Sequence, residues 1–215
     1  MMTDLIIVGA GGFGREVAWL ALEASKQYRV LGFLDDRKDI PDSGLGGLAL
    51  LGAIDEWEKF GSASFVLAIG SPRTRAKIAD RMATGRSQPQ FATLIHRSLC
   101  NGPVCEFGPG SIVCAGCILT TNISVGQHTI INIGCTIGHD VRIGSFVTLA
   151  PNVSVSGCVT LLDGVEVGTS AAIMQGLTIG KGSMLGMGSV LTKDVPGCSL
   201  YFGVPAKPIK ALASF

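Results

Sequence analysis

Two ionisable side chains near the middle of the chain have the residue types and the spacing for acid–base chemistry. His139 is followed directly by Asp140, and it is one of only three histidines in 215 residues. An imidazole exchanges its proton near neutral pH, and an adjacent carboxylate can orient the ring and stabilise its protonated form. The pair therefore indicates a general base at His139. For His128 we favour a surface or corner residue, the commoner role of a lone histidine in a repeat.

The elements that must position this pair belong to a long repeat. From residue 107 to residue 191, one large apolar residue recurs at every sixth position. A period of six fits neither a helix nor a simple half-buried strand. It fits a parallel β-helix, in which three short strands form one triangular coil and each contributes an inward apolar residue. The next residue is often glycine, which we expect at corners that need φ > 0 or a close approach. The fifteen positions, which make five coils of eighteen residues, are Phe107, Val113, Leu119, Val125, Ile131, Ile137, Ile143, Leu149, Val155, Leu161, Val167, Ile173, Ile179, Leu185 and Leu191.

Composition and charge narrow the classes of partner. The formal net charge is +1 and 15% of the residues are charged, which leaves no polybasic surface for nucleic acid or an anionic membrane. The chain has no run of eighteen apolar residues and no recognisable signal peptide, so we expect a cytoplasmic protein. The seven cysteines are interpreted as buried thiols, and no metal is predicted.

The N-terminal region has the layout of a nucleotide-binding unit. A strand-like run at residues 5–8 leads through a glycine turn at 9–14 into a helical pattern at 15–26. A second strand at 28–34 ends at Asp35-Asp36. Such glycines let backbone N–H groups approach phosphate oxygens, and an aspartate at the strand end can accept from a ribose or a base. The motif alone leaves NAD, another nucleotide or a structural turn open.

The size of this unit argues against NAD. Only the strands at 65–69 and 91–95 and the helix at 73–82 follow before the hexads begin, too little for a second mononucleotide half. We therefore expect a βαβαβ nucleotide-binding domain at residues 1–95, a β-helix at 96–200 and a C-terminal cap at 201–215.

The repeat resembles that of the hexapeptide-repeat acyltransferases, whose left-handed β-helix is built from [LIV]-G-x-x-x-x units. Residues 203–207, Gly-Val-Pro-Ala-Lys, are similar to the G-x-P-A-K element that closes the helix in that family. The G-x-G-x-x-G turn, the F-L-D-D strand end and the A-I-G strand end resemble those of its sugar O- and N-acyltransferase subfamily. That subfamily includes nucleotide-linked 4-amino-4,6-dideoxysugar N-acetyltransferases of bacterial glycan assembly. The resemblance covers nearly the whole chain, with a departure at His96-Arg97-Ser98, where the family usually has His-Pro-Ser. It implies an α/β half-Rossmann domain followed by a left-handed parallel β-helix.

The resemblance also implies roles for individual positions. The segment from Asn132 to Asp140 resembles the subfamily's N-x₆-H-[ED] element, which makes His139 the base and Asp140 its partner. The backbone N–H of Gly157 would stabilise the oxyanion. The nucleotide-sugar would contact Gly11, Gly12, Phe13, Asp35, Asp36, Ile69, Gly70 and Asn132, although Asn132 has an alternative interpretation as a ladder residue at a coil corner. The coenzyme would contact Thr148, Thr169, Gly186, Met187, Pro205 and Lys207, with Thr148 standing where the subfamily often has a second histidine.

The function implied is transfer of an acetyl group from acetyl-CoA to the amino group of a nucleotide-linked 4-amino-4,6-dideoxysugar, in bacterial surface-glycan biosynthesis. The resemblance further implies a homotrimer with active sites between subunits. An O-acetyltransferase of the sialic-acid type is an alternative, because the same base could deprotonate a hydroxyl. A zinc β-helix of the γ-carbonic anhydrase kind is a weaker one, since it needs three converging histidines. The sequence does not choose among UDP, GDP and dTDP.

Overall fold

The computed structural model describes residues 2–23, 27–37, 40 and 46–215. Its N-terminal elements are β1 (Thr3–Val8), α1 (Gly12–Glu23), β2 (Tyr28–Leu34), β3 (Ala49–Gly52), a 3₁₀ helix (Ile54–Phe60), β4 (Ser64–Leu67), α2 (Pro72–Ala83) and β5 (Gln90–Phe91). The predicted helix at 15–26 is confirmed as far as Glu23, and residues 24–26 lie outside the described residues. Neither β3 nor the 3₁₀ helix was predicted.

The five strands form a parallel sheet in the order β3-β2-β1-β4-β5. The order reverses between β1 and β4, so the loops after these two strands diverge at the carboxyl edge of the sheet. A crevice at such a reversal is where open α/β sheets bind ligands. The turn after β1 depends on two glycines. Gly9 has φ 102°, and a Cβ on Gly14 would lie 2.0 Å from the Gly9 carbonyl oxygen.

The hexads form a parallel β-helix whose strands pair with those eighteen residues further on. The first face contains β6 (Leu94–Ile95), β9 (Ile112–Val113), β12 (Ile130–Ile131), β15 (Thr148–Leu149), β18 (Glu166–Val167) and β21 (Met184–Leu185), extended by the hairpin β23 (Ser199–Gly203) and β24 (Ala206–Ala211). The second face contains β7 (Cys100–Asn101), β10 (Ile118–Leu119), β13 (Thr136–Ile137), β16 (Ser154–Val155), β19 (Ala172–Ile173) and β22 (Val190–Leu191). The third face contains β8 (Cys105–Phe107), β11 (Ile123–Val125), β14 (Arg142–Ile143), β17 (Thr160–Leu161) and β20 (Thr178–Ile179).

Three edges join these faces. The first edge, between the first and second faces, carries the corner residues Ile133, Pro151, Thr169 and Met187. The second edge, between the second and third faces, carries His139 and Gly157, and the third edge closes each coil. The predicted strand at 91–95 is divided: Phe91 pairs in the N-terminal sheet, while Leu94–Ile95 pairs with β9 in the first coil.

The glycines that follow the apolar residues were predicted to supply either positive φ or room for a close approach, and the structure confirms only the second role. Left-handed φ values recur at every sixth residue from Val104 to Gly188, three residues after the inward apolar position. The glycines directly after the apolar residues do not have positive φ. They are required by close approach, since a Cβ on Gly126 would lie 2.5 Å from the carbonyl carbon of Gly144 in the next coil.

The inward positions fill the prism with a continuous apolar core. All the repeat positions from Val113 to Leu191 are buried, and valines or cysteines two residues earlier complete the layers. The interpretation of the cysteines as buried is right for Cys114, Cys117 and Cys135. It is wrong for Cys100 and Cys158, which are exposed, because their positions lie outside the inward set.

The N-terminal domain packs on the prism through an apolar cluster that includes Ile112, Cys114 and Ile130, and also through one buried cation. Arg75 of α2 is fully buried. Its guanidinium donates to the backbone oxygens of Ile69, Gly70, His128, Phe146 and Val147 and to the Thr148 hydroxyl. Burial lowers the pKa of Arg75 to about 9, with Glu166 as an opposing influence. The loop after β4 is thereby fixed to the coils.

Candidate active site

His139 and Asp140 form a hydrogen-bonded pair on the second edge of the prism. The imidazole Nδ1 lies 2.7 Å from Asp140 Oδ2, and both side chains are exposed. The Asn122 amide donates to Asp140 Oδ1. Hydrogen bonds from Asn122 and then from His139 lower the pKa of Asp140, so the group is a carboxylate at neutral pH. With Nδ1 held by this carboxylate, the other ring nitrogen, Nε2, remains for a substrate proton.

The eighteen-residue coil period explains this arrangement. Asn122, Asp140 and Cys158 occupy the same corner on three successive coils, with φ values of 56°, 58° and 59°. The Cys158 N–H donates to the His139 carbonyl oxygen at 2.8 Å. Backbone pairing between coils therefore stacks these three side chains beside the imidazole.

Gly157 lies directly against the imidazole of His139. A Cβ placed on Gly157 would be 2.7 Å from both Cε1 and Nε2 of the ring. Among the described residues, no hydrogen bond is made by the Gly157 N–H. The three residues predicted to be catalytic thus lie together, and only glycine leaves room for the ring at this corner.

Asn132 lines a cavity between the N-terminal domain and the first edge. The cavity has a volume of about 410 Å³, and Phe13, Trp19, Gly70 and Ile133 also line it. Asn132 accepts the Ile133 N–H through its own Oδ1 at 2.8 Å, which fixes its amide. The space is within the size range of small-molecule pockets, and it does not include His139.

A second cavity of about 390 Å³ lies at the carboxyl edge of the sheet, and it shares Phe13 and Gly70 with the first. The seven residues predicted to hold the nucleotide, Gly11, Gly12, Phe13, Asp35, Asp36, Ile69 and Gly70, all line it. Helix α1 begins at Gly12 and has no acidic residue in its first turn. Its unpaired N–H groups and dipole suit phosphate oxygens.

The two aspartates already have partners within the chain. Asp35 accepts from the Ala10 N–H at 2.8 Å and from the backbone and guanidinium of Arg37. Although burial opposes the effect, these bonds lower the pKa of Asp35 to about 2. Asp36 accepts from the Ile54 N–H and from Arg81. The Asp35 carboxylate therefore orders the glycine turn, and the contact of either aspartate with a nucleotide stays a prediction.

Five of the six residues predicted to contact the coenzyme lie along one side of the C-terminal coils. Thr169 and Met187 are successive corners of the first edge, and the Gly188 N–H donates to the Thr169 carbonyl oxygen at 2.8 Å. Lys207 pairs with Phe202 across the terminal hairpin, next to Pro205. A Cβ on Gly186 would lie 2.0 Å from the Phe202 ring. Phe202 was not predicted from the sequence.

Thr148, the sixth, is engaged within the chain. Its hydroxyl donates to the Gly70 carbonyl oxygen at 2.7 Å and accepts from Arg75 at 3.0 Å. Thr148 is 8% exposed. These contacts give Thr148 a structural role in fixing the loop at Gly70, and its contact with a coenzyme stays a prediction.

His128 occupies a corner, as predicted, but it is buried and not at the surface. Its ring stacks on Phe146 and meets the edge of Phe91. Burial, followed by the charge of Arg75, lowers the pKa of His128 to about 4. The N-terminal domain covers this corner, an effect that the local sequence does not reveal. His96, the third histidine, contacts Trp19 and Ser98, so no three-histidine site forms within the described part of the chain.

Comparison with known proteins gives the following similarities. Residues 4–82 match the family model described as the PglD N-terminal domain. PerB from Caulobacter crescentus, solved with CoA and GDP-perosamine, is 27% identical, with 98% of this chain and 99% of PerB covered at a TM-score of 0.86. WeeI from Acinetobacter baumannii is 29% identical over 97% and 100% of the two chains, with a TM-score of 0.82. A comparison with curated protein sequences finds no match.

A third similar structure is the acetyltransferase domain of PglB from Neisseria gonorrhoeae in complex with acetyl coenzyme A. It is 27% identical over 97% of this chain and 100% of that one, with a TM-score of 0.74. These similarities extend over both the α/β domain and the prism. They confirm the predicted resemblance and the predicted fold class of a half-Rossmann domain followed by a left-handed β-helix.

Proposed function

We propose that this chain, which shares the whole-chain fold of the hexapeptide-repeat sugar N-acetyltransferases, transfers an acetyl group from acetyl-CoA to the amino group of a nucleotide-linked 4-amino-4,6-dideoxysugar. The observation that carries this proposal is the His139–Asp140 pair on a fold that matches PerB, solved with CoA and GDP-perosamine, over 98% of the chain. Acetyl-CoA is the acyl donor, and the products are CoA and the N-acetylated nucleotide-sugar.

His139 acts as the general base. A protonated amine cannot attack a thioester, so the imidazole removes a proton as nitrogen bonds to the acetyl carbon. Asp140 holds Nδ1 at 2.7 Å, which leaves Nε2 to receive the proton and stabilises the imidazolium formed. The tetrahedral oxyanion is held by the N–H of Gly157. The imidazolium then gives its proton to the departing thiolate.

The two cavities bind the nucleotide and the sugar of the acceptor substrate. The glycine turn at Gly11 and Gly12 binds the diphosphate through backbone N–H groups. The sugar extends past Phe13 and Gly70, which line both cavities, towards Asn132. The nucleoside end of the site is bounded by Asp36, whose Oδ2 accepts from Arg81.

The working enzyme is a homotrimer whose active sites lie between subunits. In one chain, Asn132, Thr169 and Met187 lie on the first edge, whereas His139 and Gly157 lie on the second. Packing the first edge of one prism against the second edge of the next joins the two sets. Exposed apolar side chains on these two edges, Met187 on the first and Met174 on the second, support such an interface, whereas the exposed Leu162 lies on the third edge.

Co-expression of two defective chains tests the shared site. A His139→Ala chain keeps a working first edge, and a Thr169→Trp chain keeps a working second edge. Random mixing should regenerate about one quarter of the sites, with light scattering giving three chains of 22.2 kDa. No recovery in verified mixed trimers, or a fully active monomer, would contradict the shared site.

The cellular setting is also a proposal. No described helix has the length and apolar character to cross a membrane. The enzyme works in the cytoplasm, where acetyl-CoA is available, and supplies an acetylated sugar for a bacterial surface glycan.

A substrate panel tests the reaction. UDP-, GDP- and dTDP-linked 4-amino-4,6-dideoxysugars, with matched 4-hydroxy sugars and free sialic acid, should be assayed for thiol release from acetyl-CoA. Release with one amino sugar, and a product carrying one added acetyl group, is expected. Release with the hydroxyl acceptors alone would favour the O-acetyltransferase.

A further inference from the structure

Beside the base lies a cluster of three different metal-binding side chains. A nitrogen of His139, an oxygen of Asp140 and the sulfur of Cys158 all lie within 4.8 Å of one another. It is the one such group of three found among the described residues. All three side chains are exposed in the single chain, and in the proposed trimer they line an active site that must admit its substrates, so an ion from solution has access.

From this juxtaposition, we propose that His139, Asp140 and Cys158 form an inhibitory binding site for a thiophilic divalent cation of the Zn²⁺ class. The ion is not a cofactor, and the acetyl transfer proposed above does not need it. The binding site itself stands on the three side chains. The inhibition rests on the proposed function, because it requires His139 to be the base.

The donor set selects the class of ion. Imidazole, carboxylate and thiolate together are ligands of Zn²⁺, whereas Mg²⁺ and Ca²⁺ prefer oxygen ligands alone. Zinc bonds of 2.0–2.3 Å in a tetrahedral site place the ligand atoms about 3.5 Å apart. The atoms of the cluster, which lie within 4.8 Å of one another, therefore need to shift by about 1 Å, which exposed side chains achieve by small rotations. The fourth position stays open for water.

The backbone holds the three residues in position for this. Asp140 and Cys158 are the same corner of successive coils, and the Cys158 N–H donates to the His139 carbonyl oxygen at 2.8 Å. The Asn122 amide donates to Asp140 Oδ1, and a hydrogen bond of this kind orients a ligating carboxylate. The main chain at these residues is already ordered, so binding of the ion would require little further ordering of the backbone.

Binding of the ion would stop the reaction without changing the fold. A metal takes the lone pair of a neutral imidazole, and that lone pair is the one that accepts the proton from the amine. The ion also draws Asp140 away from its position as the partner of Nδ1. Inhibition should therefore be reversed by a chelator.

The experiment compares the untagged wild-type protein with Cys158→Ser and with Cys100→Ser, a matched control that removes another exposed thiol. Equilibrium dialysis with Zn²⁺ gives the stoichiometry and affinity, and Co²⁺ gives a thiolate-to-metal charge-transfer band in the near ultraviolet. One ion per chain is expected for wild type and for Cys100→Ser. In Cys158→Ser the charge-transfer band should disappear and the affinity should fall by at least about tenfold.

Activity is measured separately on the same three proteins. The Zn²⁺ concentration for half inhibition should rise by at least about tenfold in Cys158→Ser, whose activity without metal should equal that of wild type. Absence of stoichiometric binding, or a Co²⁺ band that persists in Cys158→Ser, would overturn the site. Binding without inhibition would overturn the regulatory role. If no acetyl transfer exists at all, the dialysis and the Co²⁺ band still decide the site, so the two failures are distinguishable.

Discussion

The Nδ1 atom of His139 lies 2.7 Å from Oδ2 of Asp140, and the other oxygen of that carboxylate accepts from Asn122. The carboxylate is therefore held on one side by the preceding coil and on the other by the imidazole. This arrangement fixes which ring nitrogen is offered to a substrate.

Asp140→Asn should lower kcat by less than the roughly 10²–10⁴-fold expected for removal of the base, because the ring keeps a neighbouring hydrogen-bonding group but loses the charge that stabilises imidazolium. Steady-state kinetics with both substrates saturating would measure this. A loss larger than that of His139→Ala would require the roles of the two residues to be exchanged.

Gly157→Ala should reduce kcat strongly while leaving the prism folded. The added methyl would lie 2.7 Å from Cε1 and Nε2 of His139, so the ring must rotate away from its partner. Gly61→Ala, where the new Cβ meets only an ordinary 3.5 Å contact, is the control. Wild-type kcat in Gly157→Ala would show that the imidazole does not act from the position observed.

Thr148→Val separates a structural role from a coenzyme-binding role. Loss of the hydroxyl removes two buried hydrogen bonds, one to the Gly70 carbonyl oxygen and one from Arg75, which should lower the free energy of unfolding by about 1–3 kcal/mol. The KM for acetyl-CoA should not change. A several-fold rise in that KM at unchanged stability would restore the role expected from the sequence.

His128 should make the fold sensitive to mild acid. Its pKa is lowered to about 4 by burial and by Arg75, whereas in the unfolded chain it protonates near its ordinary pKa of about 6.5. As the pH falls between these two values, only the unfolded state gains the proton. The free energy of unfolding should therefore decrease by about 3 kcal/mol between pH 7 and pH 4. Urea unfolding of wild type and His128→Leu at pH 7.5 and pH 4.5 isolates this contribution. Parallel losses in the two proteins would show that another group is responsible.

The repeat was predictable because its cause is local. Each hexad supplies one inward side chain, so the period alone gives the strand positions, and the eighteen-residue coil brings Asp140 and Cys158 into one column. The same period could have identified Asn122 and Cys158 as neighbours of the base. The glycine turn was predictable for a similar reason, since Gly9 and Gly14 meet within one short segment.

What the sequence did not reveal depends on contacts distant in sequence. His128 is buried because the N-terminal sheet covers its corner, and the Thr148 hydroxyl is hydrogen-bonded because Arg75 reaches it from α2. The aspartates at the end of β2 accept from Ala10 and Arg81, partners that the strand pattern does not indicate. Strand β3 is four residues long, and its pairing with β2 leaves no periodic signal.

The most direct test of the account is the kcat of His139→Ala for acetyl transfer to the preferred nucleotide-linked amino sugar, measured by thiol release with saturating acetyl-CoA. A fall in kcat of about 10²–10⁴-fold is expected. The affinity for the nucleotide-sugar should be nearly unchanged, because its proposed contacts lie in two cavities that do not include His139. Retention of the wild-type kcat by a correctly folded His139→Ala protein would contradict the assignment of His139 as the base.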